Sequence, residues 1–365
     1  MSVPFLDLTR QAAALRDELE DAFTAIVASG RFVGGSAVER FEHAFAAYCG
    51  ASYAVGVNSG TDAIALALRA LGIGAGDEVI TAANTCVATI TGIVAAGATP
   101  VLADVEERTW TLDPASAESA ITSRTRALVP VHLYGQCADL TPLLGLARAH
   151  GLKVIEDAAQ AHGAEYGGKR PGGLADAAAY SFYPTKNLGA LGDAGAVVTS
   201  NAHLAERVRM LRSHGERADA RGIAETQGAN SRLDDVQAEI LVRKLAHLDR
   251  WNERRRQLAA YYRDGLAGTR LTLPVEAPGR RHAWHLFVVL VDDRDRFRTA
   301  LRTRQVGTLV HYPLPIHRQA AYQHLGGRLP LPVSDRASGA CVSLPLYPEL
   351  TDAEADQVVS AAGAW

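Results

Sequence analysis

The chain has 365 residues, 48% of them hydrophobic and 21% charged, with a net charge of −3. That length exceeds one comfortable core and calls for a large domain plus a smaller one, while the near-neutral balance removes any electrostatic case for nucleic acid or an anionic membrane. No apolar run approaches the roughly 20 residues of a membrane span.

The first residues, MSVPFLDLTRQ, lack the apolar core of a signal peptide. Cys49, Cys86, Cys137 and Cys341 are scattered and form no CxxC, so the expectation is a cytoplasmic protein with reduced thiols. From about Tyr53 to Ser200, apolar β-branched runs alternate with alanine-rich helical stretches. YAVGVNSG, DEVITAAN, TPVLADV, RALVPVHLYG and LKVIEDAAQ read as strands, and TDAIALALRALG places Ile64, Leu68 and Leu71 on one helical face. This alternation predicts an α/β fold whose mainly parallel sheet is covered by helices on both faces. Ligands in such sheets sit at the carboxyl ends of the strands.

Beyond Leu233, LDDVQAEILVRKLAHLDRWNERRRQLAAYY reads as one long amphipathic helix striped by Leu233, Val236, Ile240, Leu241, Leu245 and Leu248. Its basic second half, Arg250, Arg254, Arg255 and Arg256, reads as a solvated face. WHLFVVLVDD, TLVHYPLP and a last helix after Thr351 suggest a smaller α/β domain, giving a large domain over 1–245 and a small one over 246–365.

Three strand ends carry chemistry. In VGVNSGTDAIALAL, Ser59, Gly60, Thr61 and Asp62 open a helix and suit a phosphate, although a simple cap would use the same residues. In VIEDAAQAHG, Glu156 and Asp157 close an apolar strand, where a carboxylate needs a cation or several donors, or serves as a cap. In AAYSFYPTKNLGALGDAGAVV, Lys186 is the one lysine of a nearly uncharged stretch, with Ser181 five residues before it on the same strand. Alone it could snorkel to the surface; partly buried, it becomes a nucleophile toward carbonyls. Anion donors, a carboxylate and an amine at separate strand ends together match what pyridoxal phosphate requires, with Lys186 forming the imine.

These residues also carry a resemblance. NSGTDAIALAL, EDAAQAHGA, SFYPTKNLGALGDAGAVVT, LRSHG and GANSRLDDVQAEIL resemble the DegT/DnrJ/EryC1/StrS aminotransferases, in the same order along the chain. The resemblance implies the aspartate aminotransferase fold (fold type I), pyridoxal 5′-phosphate as cofactor, and transfer of an amino group from an amino acid, L-glutamate, to a keto group of a nucleotide sugar. Lys186 then matches the imine-forming lysine that also moves protons, and Asp157 the partner of the pyridine nitrogen. Gln160 matches a contact to the ring oxygen, and Gly60, Thr61 and Ser181 match phosphate contacts. Asn230 resembles an asparagine that reaches the phosphate of the neighbouring subunit, which implies a homodimer with shared sites. Cys86 departs from the pattern, because the family usually carries there an aromatic residue that stacks on the ring.

PVHLYGQCADL, with His132, Tyr134, Gly135 and Gln136, resembles members that aminate C3 of dTDP-3-keto-6-deoxyhexoses. His132, Tyr183, His311 and Tyr312 are candidates for setting the sugar's pose, and Arg217, Arg221, Arg280 and Arg281 for meeting its diphosphate. Amination at C4 is the alternative, and a non-catalytic regulatory protein on the same fold is the alternative from another class. Lys186 argues against dehydratase relatives that carry histidine there. A nicotinamide oxidoreductase is disfavoured because GIGAGDE follows no strand and GALGDAG is wrongly spaced. His311 and His317, split by two prolines, make a weak ligand set, and no metal is expected.

Overall fold

The structure is a computed structural model that describes residues 2–217, 219, 220, 222–326 and 328–365. Seven strands form its main sheet: β1 (Tyr53–Val57), β2 (Glu78–Ala82), β3 (Thr99–Ala103), β4 (Thr125–Val129), β5 (Lys153–Asp157), β6 (Ala177–Ser181) and β7 (Gly195–Thr199). Their spatial order is β1-β7-β6-β5-β4-β2-β3, and only β7 runs antiparallel to its neighbours. The five strands expected from the sequence are β1 to β5. Each is followed by a crossover that returns the chain to the opposite edge, so β1, β2, β4, β5 and β6 all end along one edge of the sheet.

Strand alternation sends side chains into two cores. Ala178 and Tyr180 face one core, and Ala177 and Ala179 the other. The first is filled by the Ser36–Cys49 and Asp235–Leu245 helices; Phe41 and Phe45 meet Phe182 edge-on at 5.2 and 5.1 Å. The second is filled by the Gly60–Ala70 helix, whose Ile64 and Leu68 are fully buried as its periodicity requires.

The long helix expected after Leu233 is two helices, Asp235–Leu245 and Leu248–Gly265, broken at Ala246 and His247. The first packs Ala238 and Leu241 under the main sheet, whereas the second packs Leu258, Ala259 and Tyr262 into a separate C-terminal core. One straight helix cannot serve both. Its basic half is also corrected. Arg250 is exposed, but Arg255 is only 4% exposed and points inward.

In the C-terminal part, β8 (Phe287–Leu290) pairs antiparallel with β9 (Cys341–Leu344), and the Asp352–Gly363 helix covers them. TLVHYPLP adds an isolated bridge from Leu309 to Ser343, not a strand. The amino-terminal segment joins this core: Val3 bridges Val306, and Arg10 binds Glu354 through both nitrogens of its fork at 2.7 Å.

Candidate active site

A cavity of about 340 Å³ lies at the carboxyl edge of the main sheet. At the end of β1, Ser59 caps the Gly60–Ala70 helix by accepting from Asp62 N at 3.1 Å. The plain reading as a cap therefore holds for Ser59. The N–H groups of Gly60 and Thr61 meet no acceptor among the described residues and open into the cavity at the positive end of the helix. Gly60 is required by close approach: a Cβ there would lie 2.6 Å from Ser181 Cβ. That contact brings the hydroxyl of Ser181, the last residue of β6, beside the helix start.

At the end of β5 the two adjacent carboxylates part company. Glu156 points into the core, where it bonds His132 Nε2 at 2.9 Å and Gly172 N at 2.8 Å. Asp157 points into the cavity; its Oδ2 accepts from Thr89 at 2.7 Å and its Oδ1 from Ala159 N at 3.1 Å. Such a carboxylate is oriented, and the backbone donor steadies its charge.

Lys186 lies beyond β6 in a tight turn and not on the strand with Ser181. Gly189 packs so closely on Pro184 that a Cβ would lie 2.3 Å from its carbonyl oxygen. Asn187 clamps the turn by donating to Asn252 at 2.9 Å and to Ala283 O at 2.8 Å. The Lys186 amine has no hydrogen-bond or ion-pair partner among the described residues and faces the cavity. Burial lowers its pKa from the usual value of a lysine, against the opposing fields of Cys86 and Asp157. Three imidazoles near it stay neutral: burial holds His162 down to about 3, His311 to about 4 and His285 well below the usual range, with the Lys186 charge adding to each. An unpaired, readily deprotonated amine among uncharged rings suits attack on a carbonyl carbon.

The other expected residues distribute unevenly. Gln160 lines the cavity with Oε1 bound to Tyr134 N at 2.6 Å and Nε2 donating to the Tyr312 hydroxyl at 3.0 Å. Tyr183, His311 and Tyr312 also line it. The Tyr312 phenol is pushed well above its usual pKa by burial first and by its hydrogen-bonding neighbour Cys86 second. His132 does not reach the cavity; it is fully buried between Glu156 and Ala138 N. Asn230 is exposed and outside the cavity of its own chain. Arg217 is tied to Asp219 at 2.8 Å, Arg280 to Asp139 at 3.2 Å and Arg281 to Glu165 at 3.4 Å, and none lines the cavity. Arg221 lies outside the described residues. His317 pairs with Asp335 at 3.0 Å, apart from His311, which bonds Ser343 at 2.8 Å.

Sequence reasoning missed Thr89, His285 and Asp193, which all line the cavity. Thr89 lies in the first turn of the helix that follows β2, Val87–Ala95, as Thr61 does in the helix that follows β1, and that placement was its signal. His285 precedes β8 and carried none. The donors, the oriented carboxylate and the free amine fit pyridoxal phosphate: Gly60, Thr61 and Ser181 can hold its phosphate, Asp157 its ring nitrogen and Lys186 its aldehyde carbon.

Comparison with known proteins agrees. Residues 13–362 match the DegT/DnrJ/EryC1/StrS aminotransferase family. A dTDP-3-amino-3,4,6-trideoxy-alpha-D-glucose transaminase of Streptomyces venezuelae is 50% identical, over 100% of this chain and 96% of its own. A protein of Geobacillus stearothermophilus named as a pleiotropic regulatory protein is 44% identical over 98% and 97%. Among solved structures, DesV of S. venezuelae in complex with a ketimine intermediate superposes with a TM-score of 0.96 at 50% identity, covering 100% of this chain and 98% of its own. NtdA of Bacillus subtilis with bound cofactor PMP superposes at 0.93 with 34% identity, covering 99% and 84%. The α/β fold of fold type I and the pyridoxal phosphate cofactor stand with these matches.

Proposed function

The chain belongs to the DegT/DnrJ/EryC1/StrS aminotransferase family, and from that premise we propose that it transfers the amino group of L-glutamate to C3 of a dTDP-linked 3-keto-6-deoxyhexose. The observation that carries this reading is the meeting of an unpaired Lys186 amine, an oriented Asp157 and the open N–H groups of Gly60 and Thr61 in one cavity. The S. venezuelae relative, named for a 3-amino sugar, supports the position of transfer. Bound there, pyridoxal phosphate supplies an electron sink and carries the amino group between the two substrates.

The chain's own residues do the rest. Lys186 Nζ would take the proton from Cα of the donor and pass it to the carbon that bore the aldehyde, and in the second half-reaction it would move a proton the other way, onto C3 of the sugar. Asp157 keeps the ring nitrogen protonated, and Thr89 holds that carboxylate in place. Tyr183 stands at the mouth, where it and His311 and Tyr312 can set the sugar's pose. Shifting the ketone by one ring carbon misplaces it by more than an ångström, which costs roughly a hundredfold in rate. Amination at C4 would use the same cofactor contacts and differ only there. A purely regulatory role, suggested by the name of the Geobacillus relative, gives no reason for an intact amine, carboxylate and phosphate cradle in one cavity.

The active unit in this reading is a homodimer with shared sites. Phe23 and Phe32 are 60% and 56% exposed, with Val27 and Val33 beside them in sequence, an apolar surface that a second copy would cover. Val33 bridges Asp234, close in sequence to the exposed Asn230. Mixing a Lys186→Ala protein with an inactive Asn230→Ala protein should restore some activity through hybrid dimers; no recovery after verified subunit exchange excludes a shared site. In this reading a large domain over 1–245 meets a small one over 246–365, a division supported by the helix break at Ala246 and His247, with the amino-terminal segment packing on the second. Action in the cytoplasm is supported by four free cysteines, and no helix among the described residues is long and apolar enough to cross a membrane.

The reading is tested by loading the protein with pyridoxal phosphate, reducing with borohydride and locating the label by mass spectrometry. The expected result is loss of the near-visible band and a label on Lys186. A label elsewhere contradicts the assignment.

A further inference from the structure

A second cavity, of about 310 Å³, adjoins the first and shares Thr185, His285 and His311 with it. The rest of its wall is apolar, from Phe5, Leu6, Leu286, Leu309 and Leu346, with the exception of Arg255. This is the arginine that the sequence pattern placed on a solvated face. Its Nη1 donates to the carbonyls of Trp284, His285 and Leu346 at 3.2, 3.3 and 2.7 Å. Its buried Nε meets no acceptor, and no carboxylate pairs with it among the described residues.

Three carbonyl dipoles offset part of the charge, but a guanidinium withdrawn from water without a counter-ion remains costly. Burial pulls its pKa down only to about 10, so it is cationic at neutral pH. Glu349 acts on it without forming an ion pair and bonds Gln11 instead, at 3.2 Å. His285 lines both cavities, the one that Lys186 faces and the one that Arg255 enters, and feels the charge of each. A lone cation in an aliphatic chamber beside Lys186 complements one carboxylate on a short methylene chain. A diphosphate, with its several charges, calls for several donors, and this chamber offers one guanidinium.

We propose that Arg255 binds the side-chain carboxylate of the amino donor, so that this chamber makes the enzyme select a dicarboxylic amino acid over its amide. The proposal rests on the aminotransfer reading. A charge-assisted hydrogen bond in an enclosed site gives discrimination on the order of 10- to 100-fold.

The test follows the two half-reactions separately on the loaded enzyme by the absorbance of its cofactor. With glutamate and glutamine as donors, the wild type should prefer glutamate by on the order of 10- to 100-fold; Arg255→Met should bring that ratio close to one, and Arg255→Lys, which keeps a cation but loses the fork, should retain part of it. The half-reaction with the keto sugar should change by less than about threefold. A merely structural arginine would slow both donors alike and leave their ratio unchanged, which overturns the proposal. Leu309→Trp, which fills the chamber from its exposed lip, serves where an Arg255 variant fails to fold. It should raise the half-saturating glutamate concentration about tenfold and spare the sugar; equal effects on both overturn the proposal. If no amino acid changes the cofactor spectrum, the aminotransfer reading falls and this inference with it. A normal spectrum change with an unaltered glutamate-to-glutamine ratio in the variants removes the inference alone.

Discussion

Thr89 donates its hydroxyl hydrogen to Asp157 Oδ2 at 2.7 Å, and Thr85 stands behind Thr89 at 2.8 Å. The relay fixes which way the carboxylate of β5 faces. Asp157→Asn keeps the shape and removes the charge, so aminotransfer should fall by at least about a hundredfold. Thr89→Val should cost on the order of tenfold and Thr89→Ser much less, from the loss of one bond to a charged group. Steady-state rates on protein of verified fold check the series; near-normal turnover in Asp157→Asn would reduce the carboxylate to a cap.

Gly60 and Ser181 come from different strand ends and touch. Gly60→Ala places a methyl 2.6 Å from Ser181 Cβ, an overlap worth about 1–3 kcal/mol of stability. It should also weaken cofactor binding by pushing the phosphate donors apart. Adding Ser181→Gly should restore part of the lost Tm without restoring cofactor affinity, because the hydroxyl is gone. Calorimetry and cofactor titration on the three proteins separate the two effects.

The sheet and its reactive edge were legible because they rest on local signals. The runs ending at Val57, Ala82 and Asp157 are largely apolar and β-branched, and Ser59, Thr61, Thr89, Asp157 and Gln160, at or beyond their ends, meet in the cavity. The break at Ala246 and His247 had no such signal. No Gly or Pro marks it, and the apolar stripe from Leu233 runs through to Leu248; the cause is that the flanking helices bury different faces in different cores. Arg255 was misread for the same reason, since its carbonyl partners come from Trp284, His285 and Leu346, far along the chain. His132 carried a sequence resemblance, but only the fold shows that it turns away from the cavity toward Glu156.

The Lys186 amine should titrate below 10.5, because burial outweighs the two fields that favour its cation. In the cofactor-free protein, the acylation rate of Lys186 against pH should inflect below that value. Asp157→Asn should move the inflection lower still, since Asp157 acts to raise it. An inflection at or above 10.5 in the wild type contradicts the buried-amine account.

Glu354 joins the Asp352–Gly363 helix to Arg10, and its carboxyl is held down to about 2, chiefly by the Arg10 bond. A depressed carboxyl stabilises the fold above its ordinary value of 4.5 and loses that contribution as pH falls toward 2. Arg10 is a third exposed, so water screens the pair, and Arg10→Met should cost about 1–2 kcal/mol at neutral pH. Urea unfolding should show the gap between wild type and variant narrowing as pH drops below 4.5. A gap that stays constant with pH would mean the pair adds only packing.

The central claim is aminotransfer to C3 of a nucleotide-linked keto sugar at Lys186. The loaded enzyme should be given L-glutamate with the dTDP-linked 3-keto-6-deoxyhexose, and in parallel with the 4-keto isomer, and the new C–N bond located by NMR. The account predicts amination at C3, a preference for the 3-keto substrate of roughly a hundredfold, and loss of product in Lys186→Ala. Amination mainly at C4 would contradict the position, and product formed equally well by Lys186→Ala would contradict the site itself.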